Sequence, residues 1–169
     1  MRTNRMGICL LAALAALTLS ACQPGGGAES SATAPTTATT PPLLDVDVST
    51  LLTPEQVGAA VGVEVGEAQV MDEGTIVHFA SADAQTTAEV SLKKCERATY
   101  DETRAMYEDA ADAPNLGEAA MWSPSFQQLL VYGKGYMISV VTDIAGKDAE
   151  ASLVAARQLA VLTLDKLPG

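Results

Sequence analysis

Alternation of apolar and polar side chains between positions 87 and 93 is the clearest structural signal in the chain. Every second position there is Ala, Val or Leu, and the positions between are polar. This period of two predicts a strand with one buried face. Two segments that also favour strands, at 63–71 and 75–80, precede it and are separated from each other by turn-forming residues. The three segments together predict a three-stranded antiparallel meander.

A second set of strand patterns follows in the C-terminal half of the chain. Segments 119–122, 126–132 and 136–142 are rich in Val, Leu, Ile and aromatic residues. The last two are joined by Gly133-Lys134-Gly135, and a short glycine-containing link between two apolar runs predicts a hairpin. These three segments predict a second meander.

Helical patterns separate and flank the two meanders. Thr53 and Gln56 form a Thr-x-x-Gln capping box with Pro54 between them, which predicts a helix over 54–61 that ends at Gly62.

A second capping box, Thr99 with Glu102, predicts a helix over 100–111. A third helix is predicted over 148–167, before Pro168. The predicted order is therefore α-βββ-α-βββ-α. This order indicates an α+β fold with antiparallel meanders and with its helices packed on one face. The similar lengths of the two αβββ units also raise the hypothesis of an internal duplication.

The N-terminus carries the pattern of an export signal rather than of the fold. Arg2 and Arg5 precede an almost wholly apolar run from Ile8 to Leu19, which is too short for a bilayer core that needs about 20 residues. The run ends in Leu19-Ser20-Ala21-Cys22, which resembles the lipobox of bacterial lipoproteins. The resemblance implies cleavage before Cys22 and acylation of that cysteine, and hence attachment to a membrane. A cleaved and freely soluble secreted protein is the alternative.

The segment after Cys22 has the composition of a linker. Up to Pro42 it consists of Gly, Ser, Ala, Thr and Pro with one charge, Glu29, so it has little apolar surface to bury. We therefore predict a signal peptide at 1–21, a lipid-anchored tether at 22–44 and a single globular domain at 45–169. Because residue 23 is Gln and not Asp, the resemblance implies sorting to the outer membrane, facing the periplasm, if the organism is Gram-negative.

Charge narrows the choice of partner. All 21 acidic residues follow Cys22, whereas only eight of the ten basic residues do, so the mature chain carries a net charge of −13. Such a surface repels nucleic acids and anionic headgroups, and it favours a basic protein partner or simple solubility.

Cysteine usage leaves the domain without an internal disulfide. Cys9 lies in the signal, Cys22 is the lipid site, and Cys95 is unpaired between Lys93, Lys94 and Arg97. We expect Cys95 to be buried and inert. The alternative is a redox or dimer-forming thiol, whose pKa these basic neighbours would lower if it were exposed.

No residue pattern identifies a reaction, a cofactor or a metal. His78 is the one histidine, no GxSxG motif accompanies it, and two-histidine metal motifs are absent. The sequence therefore favours a non-enzymatic protein without a resident cofactor.

Two groups of residues are candidates for contacting a partner. The first is an acidic face on the second predicted helix, and the second is a set of aromatic residues in the second meander, with Phe126 and Tyr132 expected on one face. The alternatives are a solvated helix surface and a sheet core. The candidates are Asp101, Glu102, Glu108, Asp109, Asp112, Trp122, Phe126, Tyr132 and Tyr136.

The domain also resembles a family of uncharacterised, lipobox-bearing actinobacterial lipoproteins. The resemblance rests on residues 51–57, on 116–122 and on the hairpin at 129–141. The family has no established chemistry to transfer. The sequence thus predicts a cell-envelope lipoprotein that binds a protein or envelope component. Its alternative is an acidic inhibitor or immunity protein for a basic enzyme that degrades the cell wall.

Overall fold

The structure, a computed structural model, describes residues 44–169. The predicted signal peptide and nearly all of the predicted tether therefore lie outside the described residues. The described chain forms one seven-stranded antiparallel sheet in the order β1-β2-β3-β7-β6-β5-β4. The strands are β1 (Gln69–Met71), β2 (Ile76–Ala80), β3 (Thr87–Lys94), β4 (Ala111–Asp112), β5 (Ala119–Ser123), β6 (Gln128–Gly133) and β7 (Tyr136–Asp143).

The two predicted meanders are halves of this single sheet. Strands β3 and β7 join them in the centre, with eight paired positions from Thr87 opposite Asp143 to Lys94 opposite Tyr136. The prediction of a mixed α+β fold with antiparallel strands is confirmed. The exact αβββ repeat is not reproduced, because the second half contains a fourth, two-residue strand, β4.

Helix α1 (Pro54–Val61) forms as its local signals predict. The Thr53 hydroxyl accepts a hydrogen bond from the Gln56 N–H at 3.3 Å, and the Gln56 side chain accepts one from the Thr53 N–H at 3.0 Å. Gly62 ends the helix with a left-handed φ of 81°. Val57 and Val61 are buried, and the helix packs against α3.

Helix α3 (Ala149–Lys166) is the principal cover of the sheet. Asp148 caps it by accepting a hydrogen bond from the Ala151 N–H at 3.0 Å. Its small residues allow close packing on β6 and β7. Ala155, Ala156, Leu159 and Ala160 join the main core, which also takes the inward side chains of β2, β3, β6 and β7.

Helix α2 (Arg97–Arg104) differs from its prediction in bounds and in cap. It begins three residues earlier than expected, after Glu96, and no side chain caps it; the Thr99–Glu102 capping box is wrong. It ends at Arg104, and it cannot reach residue 111 because residues 111–112 pair with β5 and extend the sheet. A backbone hydrogen-bonded to a strand cannot at the same time remain in a helix.

Helix α2 also lies on the opposite face of the sheet from α1 and α3. Tyr100 of this helix packs on Met121, Leu130 and Tyr132, which form a second, smaller core. The prediction that all helices share one face is therefore wrong for α2. An internal duplication would relate the two αβββ units by a two-fold axis normal to the sheet, and both helices would then lie on one face. Because α1 and α2 lie on opposite faces, the structure does not have that arrangement.

Two predicted strands are shorter in the structure. Only Gln69–Met71 of the predicted 63–71 strand pairs, although Gly66 donates one hydrogen bond to the Ala80 carbonyl at 2.9 Å. Strand β6 starts at Gln128 and not at Phe126, because Gln127 takes a positive φ of 46°.

The chain enters the sheet through a polar contact at Asp45. Its carboxylate accepts hydrogen bonds from the Tyr136 hydroxyl and from Lys94 Nζ, the latter at 2.9 Å. These bonds lower the pKa of Asp45, the Tyr136 hydroxyl contributing most. The contact fixes the start of the domain at the last residue of β3 and the first of β7.

Candidate functional site

The predicted aromatic surface does not form, because three of its four members are buried. Trp122 and Tyr136 belong to the main core, and Tyr132 lies under α2 with its ring 6.0 Å from that of Tyr100. Phe126 alone is exposed, at 63%. It lies in the turn before β6, so Phe126 and Tyr132 do not share a strand face as predicted. The sheet-core alternative holds for Trp122, Tyr132 and Tyr136.

Most of the predicted acidic face is already engaged within the domain. Asp101 pairs with Arg97 at 3.0 Å, and Asp112 pairs with Arg104 at 2.7 Å. Ion pairs this exposed contribute about 0–1 kcal/mol to stability. They nevertheless occupy carboxylates that a basic partner would need.

Asp109 is engaged in a different way, because it fixes a turn. Its carboxylate accepts hydrogen bonds from the Ser123 hydroxyl at 2.6 Å and from the Ser125 N–H at 2.8 Å. Within residues 44–169, only Glu102 and Glu108 of the five predicted acids have no ion pair or side-chain hydrogen bond.

The Asp109 contact predicts a pH-dependent turn. The Ser123 hydroxyl, together with the Ser125 N–H, holds the pKa of Asp109 below the ordinary aspartate value of 3.8. A lowered folded-state pKa stabilises the fold above the unfolded value, and this contribution is lost as the pH falls through the folded value. We expect the Ser125 amide resonance to titrate in two-dimensional NMR with a midpoint below pH 3.8. The Asp109→Asn variant should show no such titration, and a midpoint above 3.8 would contradict the assignment.

The sheet leaves a broad surface uncovered on the α2 side. Helix α2 and the small core beneath it cover β5 and β6 and pack against Met137 of β7. The rest of β7, and β3, β2 and β1, have no helix over their outward side chains. Successive side chains of a strand point to opposite faces, so alternate positions belong to this surface. We call it the uncovered face. It comprises Gln69, Met71, Ile76, His78, Ala80, Thr87, Glu89, Ser91, Lys93, Met137, Ser139, Val141 and Asp143.

The uncovered face contains an apolar groove. Its volume is about 330 Å³, and Ile76 and Met137 supply apolar side chains to it. Ser91 and Ser139 are opposite each other at its centre, and Lys93 lies at one end. Small side chains flanked by apolar ones leave a depression that another apolar side chain can fill.

One border of the uncovered face is held by a chain of polar contacts. The Tyr107 hydroxyl donates to Gln128 Oε1 at 2.7 Å, and Gln128 Nε2 donates to Ser139 Oγ at 2.6 Å. Phe126 packs edge-on against the Tyr107 ring, with centroids 5.6 Å apart. Met106, in the turn after α2, is 79% exposed. The border thus adds exposed apolar side chains to the groove.

The uncovered face was missed by the sequence reasoning, although one signal pointed to it. The outward positions of β2 and β7 include Ile76, Met137 and Val141, which are apolar where a solvated face is usually polar. The prediction that His78 shares the more exposed face with Ile76 is confirmed.

A second cavity lies between α2 and residues 112–120. Its volume is about 340 Å³, and both of its arginines, Arg97 and Arg104, are paired with carboxylates. The cavity is polar, and its remaining charged residue, Glu118, accepts a hydrogen bond from the Lys134 N–H at 3.0 Å.

Cys95 is half-buried beside Tyr132. Burial raises the pKa of its thiol above the ordinary value, and this outweighs the opposing effect of Lys93. The condition for activation by the basic neighbours, an exposed thiol, is not met, and the raised pKa leaves the thiol protonated at neutral pH.

Two absences hold for residues 44–169. In this range, no three His, Cys, Asp or Glu side chains are grouped closely enough to hold a metal ion. None of the helices in this range has the length and hydrophobicity to cross a bilayer.

Comparison of the chain with known proteins gave no match to a family model, to a curated protein or to a solved structure.

Proposed function

We propose that this chain is a non-enzymatic lipoprotein of the cell envelope whose folded domain binds a protein or another envelope component. The observation that carries the binding proposal is the uncovered face, with its apolar groove and its exposed border. Apolar side chains that remain in contact with water cost free energy, and grooves that contain them are common at sites of interaction.

The location in this proposal rests on the sequence. The stretch Leu19-Ser20-Ala21-Cys22 follows a basic start and a short apolar run. A lipid on Cys22 would attach the chain to a membrane, and two or more acyl chains make such attachment stable. In a Gram-negative organism, the outer membrane with the domain facing the periplasm is the proposed place.

The proposal of a non-enzymatic role has two supports. Three of the five candidate carboxylates are held by Arg97, Arg104, Ser123 and Ser125 and serve the fold. The one histidine, His78, lies opposite Glu89 in the register but makes no hydrogen bond with it or any other described side chain, so no acid–base pair is assembled there.

The alternative proposal is an acidic inhibitor or immunity protein for a basic cell-wall-degrading enzyme. It is supported by the net charge of −13 after Cys22 and by the free carboxylates of Glu102 and Glu108. Binding of this kind would be governed by charge and would weaken steeply with ionic strength.

We expect the tagged full chain, extracted from envelopes in mild detergent, to retain its partner at high ionic strength. The reason is that the proposed contact is largely apolar, and apolar burial is not screened by salt. Met137→Glu, which puts a charge into the groove, should abolish capture. Val154→Glu, at an exposed position on the outer side of α3, controls for the added charge and should capture as well as the unaltered chain. Because Met137 is half-buried and packs against the second core, far-ultraviolet circular dichroism should show that Met137→Glu keeps the fold.

The same preparation tests the anchor. The unaltered chain should incorporate labelled palmitate and sediment with membranes, and Cys22→Ser should do neither. Capture that disappears at high salt and is indifferent to Met137→Glu would support the inhibitor alternative. Equal palmitate labelling of Cys22→Ser would overturn the proposed anchor.

A further inference from the structure

The two faces of the sheet are covered unequally. Helices α1 and α3 lie on one face, together with the main core, and only the eight-residue α2 lies on the other. Strands in a sheet are about 4.8 Å apart, so β7, β3, β2 and β1 expose a strip roughly 14 Å wide. An α-helix with its side chains is about 10 Å in diameter. The strip beside α2 therefore has room for one more helix.

From this geometry we infer that the uncovered face binds an amphipathic α-helix of a partner protein, with basic residues beside the apolar stripe of that helix. The inference rests on the proposed function and gives the chemistry of its partner. The bound helix would complete on this face the two-helix layer that α1 and α3 form on the other.

The backbone of the face argues for a helix and against an extended segment. Strands β3 and β7 are interior: β3 pairs with β2 and β7, and β7 pairs with β3 and β6. Their peptide groups are already hydrogen-bonded, so an extended peptide lying on them would have no backbone partners. A helix satisfies its own peptide groups and can lie on such a surface by side-chain packing alone.

The apolar positions of the face match the repeat of a helix. Met137 and Val141 are four residues apart on β7, or about 13 Å at the strand rise. That distance is close to eight residues of α-helix, so one apolar stripe at positions i, i+4 and i+8 spans it. Ile76, across the groove from Met137, would pack against the side of the same stripe.

The charges around the face specify the flanks of the helix. Asp72, Glu89 and Asp143 lie on or beside it, against the single cation Lys93. Asp72, Lys93 and Asp143 are exposed and Glu89 is half-buried. None of the four forms an ion pair within residues 44–169. Lysine or arginine beside the apolar stripe would meet these carboxylates and set the orientation of the helix.

A second copy of this chain satisfies the geometry less well. Its only apolar helix surface open to solvent in the described range is the outer side of α3, with Val154 and Val161. The basic residues of α3 are Arg157, which donates to the Pro114 carbonyl, and Lys166, which donates to the Thr50 carbonyl. Both basic side chains are therefore already engaged and are not free to pair with Asp72, Glu89 or Asp143.

Site-specific photo-cross-linking of the full chain in its native envelope tests the inference. The benzophenone amino acid p-benzoylphenylalanine replaces Ser91 at the centre of the face, Lys93 at its end, and Val154 on α3 as the control. We expect cross-links from positions 91 and 93, and not from 154, to one segment of a partner protein. The cross-linked residues should be three, four or seven apart, and Lys or Arg should flank them.

A charge variant gives a second measurement that does not depend on the bulky probe. Glu89→Gln combined with Asp143→Asn keeps the side-chain shapes and removes two charges. We expect the yield of partner capture to fall about 3- to 10-fold at low ionic strength, since each exposed ion pair contributes modestly. The difference from the unaltered chain should disappear at high ionic strength. An unchanged yield at low ionic strength would overturn the assignment of basic flanks.

The outcomes separate the inference from the proposed function. Cross-links at alternate residues of a partner, or to α3 of a second copy, would overturn the helix and leave the binding function standing. Partner cross-links from position 154 alone would show that the binding surface lies on α3. That result would also overturn the inference and leave the binding function standing. Absence of any protein cross-link from all three positions, together with failure of capture, would overturn both.

Discussion

Phe79→Ala is expected to lower the free energy of unfolding by about 3–5 kcal/mol, the usual cost of removing a buried phenylalanine ring. Phe79 lies on β2, is 0% exposed and contributes to the main core. Without the ring, the fold loses the free energy gained by transferring that ring from water into the core. It also leaves a cavity that the paired strands β1 and β3 cannot close without breaking their register with β2. Chemical denaturation followed by far-ultraviolet circular dichroism measures the loss.

The second of the two phenylalanines in the chain is the matched control. Phe126 is 63% exposed and touches Tyr107 edge-on. Phe126→Ala should lower the free energy of unfolding by less than about 1 kcal/mol, the scale of one exposed aromatic contact. If the border takes part in binding, the same substitution should weaken partner capture. Equal destabilisation by the two substitutions would show that the described core is misassigned.

Gly117→Ala is expected to lower the free energy of unfolding by more than about 3 kcal/mol and to compromise folding. Gly117 has a φ of +60°, and a Cβ there would lie 2.5 Å from the Tyr132 carbonyl oxygen and 2.8 Å from Val131 Cγ1. The neighbouring Glu118 N–H donates to that same carbonyl at 2.8 Å, so the backbone cannot retreat without losing this hydrogen bond. The penalty therefore combines a left-handed backbone, a steric overlap and a weakened backbone contact.

Gly62→Ala separates the steric part of this penalty from the conformational part. Gly62 is also left-handed, with a φ of +81°, but a Cβ there would meet nothing within 4 Å. Its substitution should cost about 1–2 kcal/mol, the left-handed penalty alone. Thermal unfolding of both variants should show a clearly larger fall in Tm for Gly117→Ala. A fall in Tm no greater than that of Gly62→Ala would contradict the close packing of residue 117 on β6.

The elements that sequence predicts well are those whose signals are local. The Thr53–Gln56 capping box and Gly62 define helix α1 from within ten residues. The hairpin at Gly133-Lys134-Gly135 fixes the pairing of β6 with β7 in the same way, through the turn between them. In these segments, the backbone contacts that decide the structure are made by residues close in the chain.

The elements that sequence predicts poorly depend on distant partners. Helix α2 was expected to reach residue 111, but residues 111–112 instead pair with Trp122 and Met121. The chain from 63 to 68 reads as a strand, but only Gln69–Met71 has a pairing partner in β2. Propensity is a weak signal for such segments, because the sheet edge decides them.

The candidate site shows the same limit more sharply. Alternation predicts which residues of a strand share a face, but it does not say which face a helix will cover. The sequence predicts that Tyr132 and Trp122 are available to a partner, but the main core buries Trp122 and α2 covers Tyr132. The partial exposure of Ile76 and Met137 cannot be predicted from the sequence, because it depends on how far α2 extends toward β7.

The Asp45 contact has a mechanical consequence for a domain that is held by one end. A load transmitted from an anchor at Cys22 would reach the fold at residue 44, beside the hydrogen bonds of Asp45 to Lys94 and Tyr136. These residues end β3 and begin β7, the two strands that join the halves of the sheet and carry part of the proposed binding surface. Tension between a bound partner and the membrane would thus enter the sheet at two central strands that are paired over eight positions, and both would be pulled from the same end. The peripheral strands β1 and β4 and the exposed turn at Met106 would carry little of that force.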